Sequence, residues 1–180
     1  MVEIQVKLVN NNRPGRKLKE LKGIVVHWTA NVKPTAGAEA HLKYFGNTTV
    51  QASCHYVVDD KNIIQMIPDN EVAWHVGDKP RRANLPVRRQ LVPAGDSANN
   101  YFIGIEMCVN TNSDFATTLK NTKYLINVLL ARHKLTIDNV YRHYDLTAKD
   151  CPIMYQPNYV EMQYFDWSWI TFKEYVRSSS

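Results

Sequence analysis

The chain has 180 residues, of which 44% are hydrophobic, 11% aromatic and 22% charged, and it carries a formal net charge of +5 at pH 7. That balance suits one globular domain with a sizeable core and points to neither disorder nor a fibre, and no internal repeat or low-complexity stretch occurs along the sequence. No run approaches the ~20 apolar residues that a membrane span needs.

Residues 10–22 are polar and basic around Pro14-Gly15 and read as a lead-in loop. Gly23 to Trp28 is a short β-branched run that predicts a buried strand. Residues 35–46 predict a helix, because Ala38, Leu42 and Phe45 fall at helical spacing before Gly46-Asn47. Ala52 to Val58 and Ile63 to Ile67 predict a hairpin about the polar turn 59–62. Residues 79–99 hold Pro80, Pro86, Pro93, Gly95 and four arginines (81, 82, 88, 89), and read as a long loop. Phe102 to Met107 is a further strand. Residues 117–134 predict the strongest helix, with Asp114 as an acidic start. Val140 opens a short strand or loop ending at His143. Phe165, Trp169, Phe172 and Val176 then predict a closing amphipathic helix over about 160–177. Strands alternating with helices imply an α/β class: one central mixed β-sheet flanked by α-helices, with residues 1–180 forming one domain and its core at about 18–156.

Cys54, Cys108 and Cys151 are an odd number without close pairing, so reduced thiols are expected rather than a disulfide framework. The N-terminus carries no apolar run of signal-peptide length. The expectation is synthesis in the bacterial cytoplasm without a signal peptide.

Of six histidines, His41 and His133 fall on helical patterns and are read as structural. His27 ends a strand, and strand ends are where α/β domains gather ligands. His143 follows another strand, and Cys151 comes eight residues later. Two imidazoles and a thiolate suit Zn2+, and three ligands leave a fourth position open, as catalytic zinc requires. Their spacing matches no compact metal motif, so packed core histidines remain the competing reading. Glu106 interrupts an apolar strand. It is either a general base with a pKa raised by burial or an outward-facing carboxylate on a half-exposed strand. Lys149 is either an oxyanion-stabilising ammonium or a solvated loop lysine.

Six stretches taken together resemble the type 2 N-acetylmuramoyl-L-alanine amidases, above all the amidase domains of phage endolysins and prophage lytic enzymes. They are Asn11-Asn12-Arg13-Pro14-Gly15, Ile24 to Asn31, His55 to Asp60, Ala73 to Asp78, Ile103 to Cys108, and Lys149-Asp150-Cys151-Pro152. They run in the family's order over residues 11–152. The resemblance implies an amidase fold shared with peptidoglycan-recognition proteins and a zinc hydrolase that cuts bacterial peptidoglycan between the lactyl group and L-alanine. It implies zinc ligands at His27, His143 and Cys151, a catalytic glutamate at Glu106 and a catalytic lysine at Lys149. It places Trp74 and His75 beside the substrate groove, and gives His55 a structural or ligand-orienting part. Some relatives carry a tyrosine immediately before the histidine matching His55. Cys54 stands there in this chain, which is read as a packed thiol, and proton transfer is left to Glu106 and Lys149.

The expected biology is a monomeric phage endolysin for host cell lysis, acting on the cell wall after release. A non-catalytic peptidoglycan-binding module is the rival, although such binders typically lack the cysteine ligand. A nucleic-acid partner is not expected. The positive charge is not arranged in an aromatic-interleaved stripe, and no short nucleic-acid motif is present.

Overall fold

The computed structural model describes residues 2–77, 79–156 and 168–178. Among them, six strands form one mixed sheet in the order β1-β4-β3-β5-β2-β6. In chain order the strands are β1 (Ile4–Val6), β2 (Gly23–Trp28), β3 (Tyr56–Val58), β4 (Ile63–Gln65), β5 (Phe102–Met107) and β6 (Val140–Arg142). The helices are α1 (Ala38–Asn47), α2 (Pro86–Leu91), α3 (Phe115–His133), α4 (His143–Thr147) and α5 (Trp169–Arg177). Strands β3, β5, β2 and β6 run parallel, and only β3–β4 is antiparallel. The α/β class and mixed sheet agree with the sequence reading. None of the described helices is long and apolar enough to cross a membrane.

The alternation of side chains along each strand divides the sheet into two faces. On one face Ile24, Val26, Ile103, Ile105 and Met107 pack with Leu125, Ile126 and Leu129 of α3 and with Phe172 and Val176 of α5. Each such fully buried aliphatic or aromatic side chain contributes about 1.5–3 kcal/mol. The other face is split. Val57, Ile64 and Cys108 pack under α1 through Ala38 and Phe45, whereas Val25 and Phe102 pack with Val76, Val92 and Leu146. The gap between these two clusters is where His27 and Glu106 face out from the sheet.

Several boundaries differ from the sequence reading for local reasons. Helix α1 begins at Ala38 rather than 35, because the Asp59 carboxylate, held in the β3–β4 turn, accepts the Ala38 N–H at 2.7 Å. That carboxylate also accepts from the Lys61 and Asn62 backbone N–H groups at 2.8 and 2.6 Å, closing the turn. Residues 52–55 precede the β3 ladder rather than join it. The 79–99 stretch is not all loop. It contains α2, with Pro86 at its first turn, where a fixed φ and a missing N–H cost nothing. His143 opens a short helix instead of ending a strand. Strand β1 gives no signal, since its three residues, two half-buried and one exposed, show no periodicity. Asp114 caps α3 by accepting the Ala116 N–H, as its position suggested. Phe165 and the first part of the expected 160–177 helix lie outside the described residues; the described helix is α5.

One polar cluster ties α3 to the sheet. Asp69 accepts from Tyr56 Oη at 2.5 Å, Arg132 Nη1 at 2.9 Å and His133 Nε2 at 2.7 Å. Burial pushes the Asp69 carboxyl up, but these hydrogen bonds outweigh it and the net shift is below the ordinary 3.8. A depressed folded value means that the ionised carboxylate stabilises the fold at pH above about 4 and that this contribution fades as acid protonates it. Asp69→Asn is expected to lower stability by about 1–3 kcal/mol at pH 7 and to flatten the decline below pH 4. Urea melts of both proteins at pH 7 and pH 3 check this. Equal losses at both pH values would remove the ionised carboxylate from the account.

Candidate metal centre

The strand register brings the first residues together. β2 and β5 pair in parallel with His27 opposite Glu106, so both side chains leave the same face. β2 and β6 pair with Val26 opposite Arg142, which sets His143 beside His27 just past the C-terminal end of β6. Carboxyl ends of parallel strands are where open α/β sheets leave a crevice. The His27 and His143 rings stand edge to face, with centroids 4.7 Å apart.

Cys151 arrives by a tight return. Helix α4 stops after Thr147, and Ala148 takes a left-handed conformation with φ of 58°. The Cys151 N–H then donates to the Lys149 carbonyl at 2.7 Å, and the Cys151 carbonyl accepts the Tyr144 N–H at 3.0 Å. That N–H belongs to the first turn of α4 and has no partner within the helix. The eight-residue interval thus spans one short helix and its reversal, returning the thiol to the helix start.

The donor atoms of His27, His143 and Cys151 all lie within 4.8 Å of one another, and all three residues are buried. Cys151 Sγ is 3.6 Å from His27 Nδ1. A tetrahedral centre with Zn–N near 2.0–2.1 Å and Zn–S near 2.3 Å requires an N···S separation of about 3.6 Å. The residues present therefore fit a zinc ion in separation and in donor chemistry. Burial, then the nearby His143, His75 and Lys149, push the His27 pKa well down, which favours the neutral, ligating imidazole.

Behind His27 a hydrogen-bonded chain sets its tautomer. His75 Nε2 is 3.0 Å from the Phe102 carbonyl, which can only accept, so this nitrogen carries the proton. Neutral His75 then accepts at Nδ1 from His27 Nε2, also at 3.0 Å. His27 Nδ1 is left with its lone pair towards Cys151. The His75 ring sits directly over Gly104, where a Cβ would come within 2.6 Å of it, so β5 needs a residue without a side chain there. Asn99 Oδ1 accepts the N–H groups of His75 and Val76 at 3.0 and 2.8 Å and fixes this segment.

Glu106 is partly buried, and its Oε2 has no hydrogen-bond partner among the described residues. Burial pushes its pKa up to about 8, with the Lys149 ammonium opposing the shift. A cation held by the three donors would oppose it further. Lys149 and Glu106 line the same cavity of about 630 Å³, together with His27, His143, Cys151 and Trp74.

The sequence-derived residues are thus brought to one cavity. His75 also lines it, but both of its ring nitrogens are engaged, which the groove reading did not anticipate. His55 lies deeper, donating to the Glu71 carbonyl at 2.9 Å and accepting the Gly104 N–H at 3.0 Å. Burial lowers its pKa to about 4, in keeping with a structural histidine. His41 bonds to the Gly37 carbonyl and His133 to Asp69. Cys54 is fully buried, and burial raises its thiol pKa well above the ordinary range, as for a packed thiol. Sequence reasoning missed Gly104 and Asn99, for which only close packing supplies a signal; Arg81, one of the four arginines noted in the 79–99 stretch, also lines the cavity.

A family profile described as N-acetylmuramoyl-L-alanine amidase matches residues 17–153. The chain is similar to the N-acetylmuramoyl-L-alanine amidases XlyA and BlyA of Bacillus subtilis strain 168. It is 39% identical to XlyA over 142 residues, covering 79% of this chain and 42% of that protein. It is 41% identical to BlyA over 150 residues, covering 81% of this chain and 40% of that protein. The chain therefore spans less than half the length of these relatives. Among solved structures, a mutant endolysin from Bacillus subtilis is similar with a TM-score of 0.78 at 36% identity, over 98% of this chain and 99% of that one.

Proposed function

We propose, on the premise that the chain belongs to the N-acetylmuramoyl-L-alanine amidase family, that it is a zinc-dependent hydrolase of peptidoglycan. The bond cut is the amide between the lactyl group of N-acetylmuramic acid and L-alanine of the stem peptide. The observation that carries the metal reading is the 3.6 Å separation of Cys151 Sγ and His27 Nδ1, with the His143 donor close by.

His27, His143 and Cys151 would hold the ion, which supplies Lewis acidity and lowers the pKa of water to near 7. Glu106 takes the proton of the attacking water as the amide carbon becomes tetrahedral, then passes it to the departing alanine amine. Its Oε2 has no competing partner among the described residues and is available for this role. The Lys149 ammonium faces the same cavity and offsets the negative charge developing on the amide oxygen. Trp74 offers an aromatic wall for the substrate. Residues 1–180 act as a single catalytic amidase domain. The similarity to an endolysin supports a part in host cell lysis after release to the wall.

Purified peptidoglycan incubated with the protein is expected to release fragments with a new alanine N-terminus, identified by mass spectrometry. A chelator stops the release and added Zn2+ restores it. Binding to the wall without any new amine would instead make the chain a recognition module, and release that survives full chelation would remove zinc from the reading.

A further inference from the structure

Two buried polar atoms beside the metal centre lack a hydrogen-bond partner among the described residues, Glu106 Oε2 and Thr29 Oγ1. The strand ladder makes their residues neighbours. His27 pairs opposite Glu106 across β2 and β5. The Thr29 N–H donates to the Met107 carbonyl at 3.0 Å, which carries the ladder one residue past the end of β2. Side chains two apart on a strand share a face, so Thr29 leaves the sheet on the face of His27 and Glu106 and lies diagonally across from Glu106. Ala30 then takes a left-handed conformation with φ of 53°, and the chain turns away from the sheet.

A second hollow of about 400 Å³ lies between this corner and α1, lined in part by Asn31, Ala40, His41 and Tyr44. Thr29, Phe45 and Glu106 line both this hollow and the metal-centre cavity, and so form the wall between them. Phe45 offers no hydrogen bond, which leaves one hydroxyl and one carboxylate as the polar side chains of that wall. Thr29 is half-buried while its Oγ1 is shielded, so the hydroxyl is turned inwards. A shielded hydroxyl without a partner loses its hydration with no return, and a shielded carboxylate oxygen loses more. The hydroxyl can donate, and a carboxylate has about four acceptor positions. Both deficits cancel if the first group donates to the second.

We propose that Thr29 is a positioning residue for Glu106. Its hydroxyl donates to one lone pair of Oε2 and fixes the plane of the carboxylate, leaving the other acceptor positions to the attacking water. The inference rests on the amidase reading for the part that Glu106 plays in the reaction. A carboxylate on a flexible stem swings through several rotamers, and only those that face the reacting water can take its proton. One donor anchored to the sheet removes that freedom, and the branched Cβ of threonine restricts its own χ1.

Thr29→Val removes the hydroxyl and keeps the shape. With a soluble muramyl-peptide as substrate, kcat is expected to fall about tenfold, as the loss of one hydrogen bond to a charged group provides. KM and zinc content should stay at parental values. Thr29→Ser restores the hydroxyl and should recover most of the rate. An unchanged kcat in Thr29→Val, no recovery in Thr29→Ser, or loss of zinc from Thr29→Val would each overturn the proposal. Thermal midpoints test the bond without turnover, on the zinc-loaded parent, Thr29→Val, Glu106→Met and the double variant. Thr29→Val should lower the midpoint of the parent but not that of Glu106→Met, where no acceptor remains. A midpoint that fails to fall in the parent background means that the hydroxyl had no partner to lose. An equal fall in both backgrounds gives the hydroxyl a different acceptor, and either result overturns the pairing. If the parent does not cut the muramyl-peptide, the amidase reading fails, and the four midpoints still decide whether Thr29 holds Glu106.

Discussion

Replacing Cys151 with Ala is expected to strip the protein of zinc and of wall-lytic activity together, and His27→Ala should do the same. Each change removes one of three donors that share a space 4.8 Å across. Zinc content should drop from near one ion per chain to background. Turnover should fall on the order of 10³-fold or more, because a Lewis acid contributes several kcal/mol and each 1.36 kcal/mol is tenfold. His75→Ala should act more gently. It leaves the three donors but removes the acceptor that holds His27 Nε2 at 3.0 Å, so metal affinity should fall about 10–100-fold. Zinc analysis after dialysis against graded chelator ranks the three. Cobalt substitution adds a direct readout, since a sulfur ligand produces a thiolate-to-cobalt charge-transfer band that Cys151→Ala must abolish. A Cys151→Ala protein that retains zinc and activity would refute the centre.

Glu106→Gln is expected to keep zinc and the fold while turnover drops by about 10²–10⁴-fold, the range for loss of a positioned general base. The amide is nearly isosteric, and Glu106 Oε2 has no hydrogen-bond partner among the described residues for the substitution to break. Glutamine can occupy the position opposite His27 but cannot accept the water's proton. KM should change little if the carboxylate acts on the reacting atoms rather than on binding. Parental zinc content, an unchanged melting temperature and lost amine release form the expected signature. A variant that clears walls at near the parental rate would transfer the base to another group, and one that loses zinc as well would make Glu106 part of the metal's support.

Local sequence determined the elements that advertise themselves. Gly23–Trp28 and Phe102–Met107 are legible because buried parallel strands are β-branched and apolar nearly throughout, and α3 because 19 residues sustain one apolar face. The residue types needed for the chemistry were also visible, as was the oddity of a carboxylate at Glu106. Their meeting was not: residue chemistry suggests His27, His143 and Cys151 as a zinc set, but their spacing matches no compact metal motif, and it is the resemblance to a family that assigns them as ligands. Nothing in a 116-residue interval between 27 and 143 says that β6 will dock against β2 in the register that aligns Val26 with Arg142. That register is settled by which faces of six strands find partners at once. The return of Cys151 depends on a left-handed Ala148, a conformation alanine does not signal. The imidazole chain from Phe102 through His75 to His27 needs a glycine on a neighbouring strand, and α2 folds within a segment whose prolines read as breakers. Tertiary structure alone decided these features, because each rests on the distance between groups far apart along the chain, and local propensity carries no information about such distances.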